Sequence, residues 1–283
     1  MICITGAGGT VGGEVVKKLE SLKAPFRAGY HSEGKVQAAR AKHIDAVVID
    51  YNRPETLKDA FAGCSKVFLL GPNVQNQAEL ETNAVNAAKA AGVSHIVKLS
   101  VLRADEEQFQ FSKVHRSVEK AIESSGMSWT FLRPNSFMQN VITYMSATIK
   151  AEGAFYSAAE DGRISHVDVR DIAAVAGKAL TEPGHERKAY ALTGPEAITY
   201  DELAAQLSKV LGKPIKYVRW TPEDYRNGML TVGTPEWFVD LLLDLERFYR
   251  EQKASIISDD IKNVTGKDPI RFEQFAREYA SSI

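Results

Sequence analysis

Residues 1–13 read MICITGAGGTVGG, and this stretch decides the fold. An apolar run just long enough for one buried strand leads into three glycines at the spacing GxxGxxG, namely Gly6, Gly9 and Gly12. Apolar residues then recur at steps of three and four, which predicts a helix that starts at the last glycine. Strand, glycine turn and helix in this order are typical of a loop that binds the pyrophosphate of a dinucleotide.

Each glycine has its own task in such a loop. Gly6 allows the tight turn, Gly9 lets the pyrophosphate approach the backbone, and Gly12 lets the helix pack closely on the strand. The free N–H groups and the positive dipole end of the helix then bind the phosphate charge. A loop that merely connects two elements is the alternative interpretation. The residues that we expect to contact the cofactor here are Gly6, Gly8, Gly9, Thr10, Val11 and Gly12.

The composition is that of an ordinary globular protein. Of 283 residues, 44% are hydrophobic and 25% charged, and 35 basic against 36 acidic residues give a net charge of −1. No basic stripe is present, so bulk charge indicates neither direct nucleic-acid contact nor a membrane surface. Two cysteines and six unclustered histidines indicate no disulfide framework and no metal site. A strand that starts at Met1 leaves no room for a signal peptide, and no apolar run reaches spanning length, so we expect a cytoplasmic protein.

Strands and helices alternate through Arg133, which predicts a Rossmann-type doubly wound parallel sheet. We therefore expect a dinucleotide-binding domain over 1–133. Residues 134–283 are expected to complete the sheet and to form a smaller α+β cap on the substrate side. Among the later segments, the pattern predicts a helix over 137–149, a strand over 164–167, and a capping box formed by Thr199 and Glu202.

The turn after the second predicted strand bears on cofactor choice. An NAD-binding domain carries a carboxylate there for the ribose hydroxyls, whereas this chain has none before Glu33. His31, Ser32 and Lys35 could instead surround a 2′-phosphate. A solvated polar turn is the alternative. The missing carboxylate favours NADP(H) over NAD(H).

Three stretches carry a family resemblance: ITGAGGTVG at 4–12, LRPNSFMQN at 132–140 and SHVDVRDIA at 165–173. Together they resemble the NmrA-like branch of the atypical and extended short-chain dehydrogenase/reductase superfamily, over nearly the whole chain. That branch includes NADPH-dependent quinone reductases, triphenylmethane-dye reductases, and redox-sensing regulators that bind the cofactor without turning it over.

The resemblance implies three further groups of cofactor contacts, each at the end of a strand. In the family, the carboxylate that matches Asp50 accepts from the adenine amino group, although a turn aspartate is the alternative. The backbone after the fourth strand passes the adenosine, and residues after the sixth cover the nicotinamide. The positions in this sequence are Asp50 and Tyr51, then Gly71, Pro72 and Asn73, then Pro134, Asn135 and Phe137.

The chain departs from the superfamily at its catalytic pair. Where dehydrogenases have Tyr-x-x-x-Lys, this sequence has Phe111 and His115. Phe111 has no proton to give, but it can line the substrate pocket with Phe137. His115 is expected to hold the nicotinamide ribose or to donate a proton, and Ser100 stands where the catalytic serine or threonine usually lies. A packing histidine and a polar strand end are the alternatives for His115 and Ser100.

These features favour an NAD(P)H-dependent reductase whose partner is a small-molecule electron acceptor, a quinone or another conjugated compound. A delocalised product anion takes its proton from water, whereas an alkoxide needs a positioned acid. The alternative is a non-catalytic NAD(P)(H)-binding regulator that passes its redox state to a protein partner. The sequence leaves the oligomeric state open, with a homodimer as one alternative.

Overall fold

A short N-terminal strand lies at the centre of the main sheet. A computed structural model describes residues 1–283 and gives nine strands. The strands are β1 (Ile2–Ile4), β2 (Phe26–Tyr30), β3 (Asp45–Val48), β4 (Lys66–Leu69), β5 (His95–Leu99), β6 (Ser128–Pro134), β7 (Ala154–Ser157), β8 (Lys188–Leu192) and β9 (Lys216–Arg219). Seven of them form one sheet in the order β3-β2-β1-β4-β5-β6-β8.

Each neighbouring pair of strands in the run β3-β2-β1-β4-β5-β6 is parallel. The order reverses at β1, which pairs with β2 on one side and β4 on the other. Ligands of such sheets bind outside the carboxyl ends of the strands at this switch point. The predicted Rossmann-type fold is confirmed.

Twelve α-helices connect and cover the strands. They are α1 (Thr10–Ser21), α2 (Glu33–Arg40), α3 (Pro54–Phe61), α4 (Gln77–Ala90), α5 (Gln110–Ser124), α6 (Ser146–Glu152), α7 (Val169–Thr181), α8 (Tyr200–Leu211), α9 (Pro222–Thr231), α10 (Glu236–Arg250), α11 (Asp260–Thr265) and α12 (Phe272–Glu278). No helix combines the length and the apolar character that crossing a bilayer requires.

The chain divides into two units that do not follow its order. The first unit comprises Met1–Asp105, Ser112–Arg133 and Val169–Tyr190, and the second comprises Glu106–Phe111, Pro134–Asp168 and Ala191–Ile283. Residues 169–190 thus group with the first unit although they follow Arg133.

Helix α7 covers α1 within the first unit. The two helices pack so closely that a Cβ placed on Gly177 of α7 would lie 2.8 Å from Cγ of Lys18 on α1. The apolar face of α1 is buried, with Val15 and Leu19 fully inaccessible. The helix of the glycine loop is therefore fixed between the sheet and a later helix.

Two segments differ from their predictions. Residues 164–167 form no strand, only isolated bridges that pair Ile164 with Ile198 and Phe137 with Val167. The helix predicted over 137–149 begins later, as a π-helix over Val141–Met145 followed by α6. The reason is that Phe137 bridges Val167 and Met138 donates its N–H to the carbonyl of Val167, so these residues pair with the later segment before the helix begins.

The second unit contains a separate two-stranded parallel sheet of β7 and β9. Strand β7 was not predicted, because four residues after a glycine turn show too little alternation to stand out. The predicted capping box is confirmed: Thr199 accepts from the N–H of Glu202, whose carboxylate accepts in return from the N–H of Thr199.

Candidate cofactor and active site

The glycine loop joins β1 to α1 in the conformation that its sequence predicts. Gly6 has φ +65°, which side chains rarely adopt, and its carbonyl accepts from the N–H of Gly9. A Cβ on Gly12 would lie only 2.1 Å from the Gly6 carbonyl oxygen. Gly9 caps α1 without any side-chain hydrogen bond, and the first helical turn holds no acidic residue. The helix start therefore offers its N–H groups and dipole to an anion.

The ammonium group of Lys35 lies beside this loop. A Cβ on Gly8 would meet the Lys35 ammonium nitrogen at 3.2 Å and Cδ1 of Tyr30 at 3.3 Å. Lys35 lies in the first turn of α2, and Ser32 caps that helix without using its side chain. His31 and Ser32 are exposed beside it. The structure thus brings the three candidate 2′-phosphate ligands together at the end of β2.

Asp50 and Tyr51 already have partners at the end of β3. The Asp50 carboxylate accepts from the N–H of Asn52 at 3.0 Å and from Arg53 Nε at 3.1 Å. The N–H of Asn52 is the main cause of the lowered pKa of Asp50. The hydroxyl of buried Tyr51 donates to the carbonyl of Leu70 at 2.9 Å. A contact between either residue and adenosine stays a prediction.

The loop after β4 packs against the side chain of Glu81 on α4. A Cβ on Gly71 would lie 2.4 Å from Cγ of Glu81 and 2.6 Å from its Oε1. Pro72 is half-buried and Asn73 is exposed. A side chain at Gly71, the second residue after β4, would therefore displace the buried Glu81 side chain. The passage of adenosine along this backbone stays a prediction.

Ser100 is buried and belongs to an ionic network. Its hydroxyl donates to Oε1 of Glu119 at 2.7 Å. Arg133 binds both carboxylate oxygens of Glu119, at 3.0 and 2.8 Å, and Arg116 binds Oε2 at 3.1 Å. The structure thus gives Ser100 a partner within the protein, and its catalytic role stays a prediction.

His115 is half-buried on α5, and its Nδ1 is a buried atom without a hydrogen-bond partner. Burial, and then the nearby Lys98 ammonium, hold the pKa of His115 well below its usual value. The ring is therefore neutral at neutral pH, and a role as an acid that starts from imidazolium is disfavoured.

The remaining candidates lie in the second unit. Phe111 packs edge-on against Phe238 of α10, with ring centroids 6.3 Å apart. The Asn135 amide group is fully used: Nδ2 donates to Ser165 Oγ and to the Ala254 carbonyl, each at 2.8 Å, and Oδ1 accepts from Ser136 N–H. Pro134 is buried and Phe137 is half-buried. Their contacts with a nicotinamide stay predictions.

Sequence reasoning missed the buried polar groups beneath the carboxyl edge of the sheet. Lys98 and Glu81 form an ion pair with both side chains fully inaccessible, and Gln77 donates to Glu81 at 2.7 Å. A signal was present, since Lys98 interrupts the apolar strand HIVKL and Glu81 occupies the buried face of α4.

Known proteins share this architecture. The sequence pattern of the NmrA-like family matches residues 1–275. An NAD(P)H azoreductase from Xenophilus azovorans is 36% identical over 284 residues, covering 100% of this chain and 99% of the azoreductase. The NADPH complex of an NADPH-dependent quinone oxidoreductase from Escherichia coli superposes with a TM-score of 0.90 at 31% identity, covering 99% of this chain and 100% of that chain. A triphenylmethane reductase from Citrobacter sp., complexed with NADP(H), gives 0.88 at 31% identity, covering 98% and 99%.

The strand order and the glycine loop define a dinucleotide-binding α/β protein of the Rossmann type. Within that class, the chain belongs to the NmrA-like family. The family predicted from the three sequence stretches is thereby confirmed.

Proposed function

We propose that this protein is an NADPH-dependent reductase that transfers hydride to a quinone-like or other conjugated small-molecule acceptor. The relatives reported above are named as an azoreductase, a quinone oxidoreductase and a triphenylmethane reductase. Azo compounds, quinones and triphenylmethane dyes share extended conjugation, which supports the same class of acceptor here.

The residues of the first unit fit the cofactor. The uncapped start of α1 takes the pyrophosphate, and Gly12 lets this helix pack closely against the turn at Gly6. Lys35, beside Gly8, takes the 2′-phosphate together with His31 and Ser32. When bound, NADPH supplies the hydride, and the protein's task is to hold it in place against an electrophilic carbon.

The choice of acceptor rests on the lack of a proton-donating side chain at positions 111 and 115. Position 111 holds a phenylalanine, and His115 is neutral because burial and Lys98 lower its pKa. An acceptor that becomes an alkoxide would need a positioned acid, whereas a delocalised anion takes its proton from water. In the second unit, the edge-on pair of Phe111 and Phe238 offers an aromatic surface against which a flat acceptor packs.

The test is NADPH consumption over a panel of acceptors: a benzoquinone, a naphthoquinone, an azo dye, a triphenylmethane dye and a simple ketone. We expect turnover of one or more conjugated acceptors and none of the ketone. NADPH binding should be measured in parallel by fluorescence.

Two results would contradict the proposal. Turnover of the ketone without quinone or dye reduction would indicate an acid that the structure does not show. Tight NADPH binding with no oxidation by any acceptor would favour the regulator alternative.

A further inference from the structure

A fully buried ion pair lies beneath the carboxyl edge of the sheet in the first unit. The Lys98 ammonium on β5 donates to Oε2 of Glu81 on α4 and to the carbonyl of Leu99 at 3.1 Å. The other Glu81 oxygen accepts from Gln77 Nε2 at 2.7 Å. Both charged side chains are completely inaccessible to solvent.

Stability alone does not explain such a pair. Apolar residues of similar volume stabilise a core as well as a buried ion pair does, or better, because the two charges lose their hydration. The position of the pair is more informative. Glu81 lies directly against Gly71, the second residue after β4, at the edge where the cofactor is proposed to bind.

Lys98 lies on the sheet face that α4 and α5 cover. Ile96, two residues earlier on β5, packs in one core cluster with Ala84 of α4 and with Val118 and Ile122 of α5. Side chains two residues apart on a strand share a face. Lys98 is therefore flanked by Glu81 of α4 and faces the helix that carries His115.

The charges around His115 come from four elements. Lys98 projects from β5 with Glu81 of α4 as its partner, and its field disfavours a proton on the ring. On α5, Glu119 lies one turn after His115, but it is bound by Arg116 and by Arg133 of β6. Of these groups, the Lys98 ammonium is the one that acts on the pKa of the ring, and it adds to the larger effect of burial.

The ring nitrogens differ in their surroundings. Nδ1 is buried without a partner, so a proton placed there would lack an acceptor. The single proton of a neutral ring therefore belongs on Nε2, which can donate it to a ligand oxygen.

We propose that Lys98, held in place by Glu81, is a positioning residue that keeps His115 a neutral Nε2–H donor toward the nicotinamide ribose. Neutrality suits the chemistry, because the departure of a hydride leaves positive charge on the nicotinamide ring. An imidazolium beside that ring would oppose the developing charge. The inference rests on the proposed function for the identity of the ligand.

The first test needs no cofactor and no turnover. The His115 Cε1–H resonance, assigned by its loss in His115→Asn, is titrated by NMR in the ligand-free protein. We expect the wild-type midpoint to lie well below the usual histidine value of about 6.5. A wild-type midpoint at or above that value overturns the proposal, whatever the variants do.

The second test removes both charges at once, in Glu81→Leu/Lys98→Met, because a single change would leave the other charge buried alone. We expect the midpoint of His115 to move upward in this variant, and to stay in place in Lys178→Met/Glu182→Gln, which removes a partly exposed pair at the C-terminal end of α7. An unchanged midpoint in the first double variant overturns the proposal.

Activity supplies a separate readout. In Glu81→Leu/Lys98→Met we expect kcat/KM to fall as the pH drops from 8 to 6, because part of the His115 population becomes charged there, whereas the wild type stays level. If no acceptor is reduced at all, the proposed function fails, but the NMR titrations still decide the role of Lys98.

Discussion

The hydroxyl of Ser100 lies 2.7 Å from Oε1 of Glu119, and it donates its proton to that buried carboxylate. Since Arg133 and Arg116 bind the same carboxylate, the four residues form one network that joins β5, α5 and β6. A proton bound in this way is not free for a substrate.

We therefore expect Ser100→Ala to lower kcat/KM by less than about 10-fold. The free energy of unfolding should fall by about 1–2 kcal/mol, since a hydrogen bond to a charged group is lost. Steady-state kinetics and urea unfolding measure the two effects, with Ser117→Ala on the exposed face of α5 as the control. A loss above about 100-fold at unchanged stability would instead support the catalytic role predicted from the sequence.

Cofactor preference should depend on the end of β2. We expect His31→Asp and Lys35→Ala each to weaken NADPH binding by about 10-fold and to leave NADH binding nearly unchanged, because only NADPH carries the 2′-phosphate. Dissociation constants for both cofactors test this, and Lys42→Ala in the exposed turn after α2 is the matched control. Equal affinity of the native protein for NADPH and NADH would refute the assignment.

The close packing of Gly12 against the Gly6 carbonyl should be essential to the loop. A Cβ there would lie 2.1 Å from the Gly6 carbonyl oxygen, whereas one on Gly13 would meet Ala7 O at an ordinary 3.6 Å. Gly12→Ala is expected to weaken NADPH binding by more than about 10-fold and to lower Tm, because the helix must move away from the turn. Gly13→Ala should leave both close to wild type, and comparable losses in the two variants would remove this explanation.

Loss of the His115 ring should impair cofactor placement without abolishing turnover. We expect His115→Ala to lower kcat/KM by about 10-fold to 100-fold. Because the pKa of His115 lies well below its usual value, the wild-type profile should be level across neutral pH. A wild-type rate that falls as the pH rises through neutrality, with the slope absent from His115→Ala, would show that the imidazolium is the acid.

A buried carboxyl group makes the stability of the second unit depend on pH. Glu246 accepts from Ser157 Oγ at 2.6 Å, and burial raises the pKa of Glu246 from 4.5 to about 7. Between these values the folded state binds more protons than the unfolded state, so the free energy of unfolding falls as the pH rises toward 7.

Glu246→Gln keeps the acceptor oxygen and removes the charge. We expect the variant to be more stable than wild type at pH 8, by up to about 3 kcal/mol, and to match it near pH 4. Thermal unfolding at both pH values measures this, with exposed Glu251→Gln as the control. An equal pH dependence in wild type and Glu246→Gln would contradict the assignment.

The sequence pattern predicted the strands and helices of residues 1–133 because their local signals are strong. Strands and helices alternate as predicted, and the glycine loop takes the predicted turn. The same kind of pattern failed at 164–167, since an apolar run shows that a segment is buried but does not show whether a partner strand lies beside it.

The candidate site was predictable in position but not in its hydrogen bonds. Residues at strand ends are placed by the topology alone, whereas the partner of each side chain depends on distant packing. Nothing local to Ser100 indicates that Glu119 accepts its proton or that Arg133 donates to the same carboxylate oxygen. Nothing local to Lys98 indicates that Glu81 is its partner.

The packing of α7 on α1 has a consequence for synthesis. Helix α1 leaves the ribosome early, but the helix that covers it begins only at Val169. Until then the nascent chain exposes the apolar face of α1, and the long sequence separation of this contact slows folding. A chain interrupted after β6 would hold every residue of the glycine loop and still lack the helix that packs on α1. We therefore expect ribosome-stalled fragments to become protease-resistant only once residues beyond Thr181 have emerged.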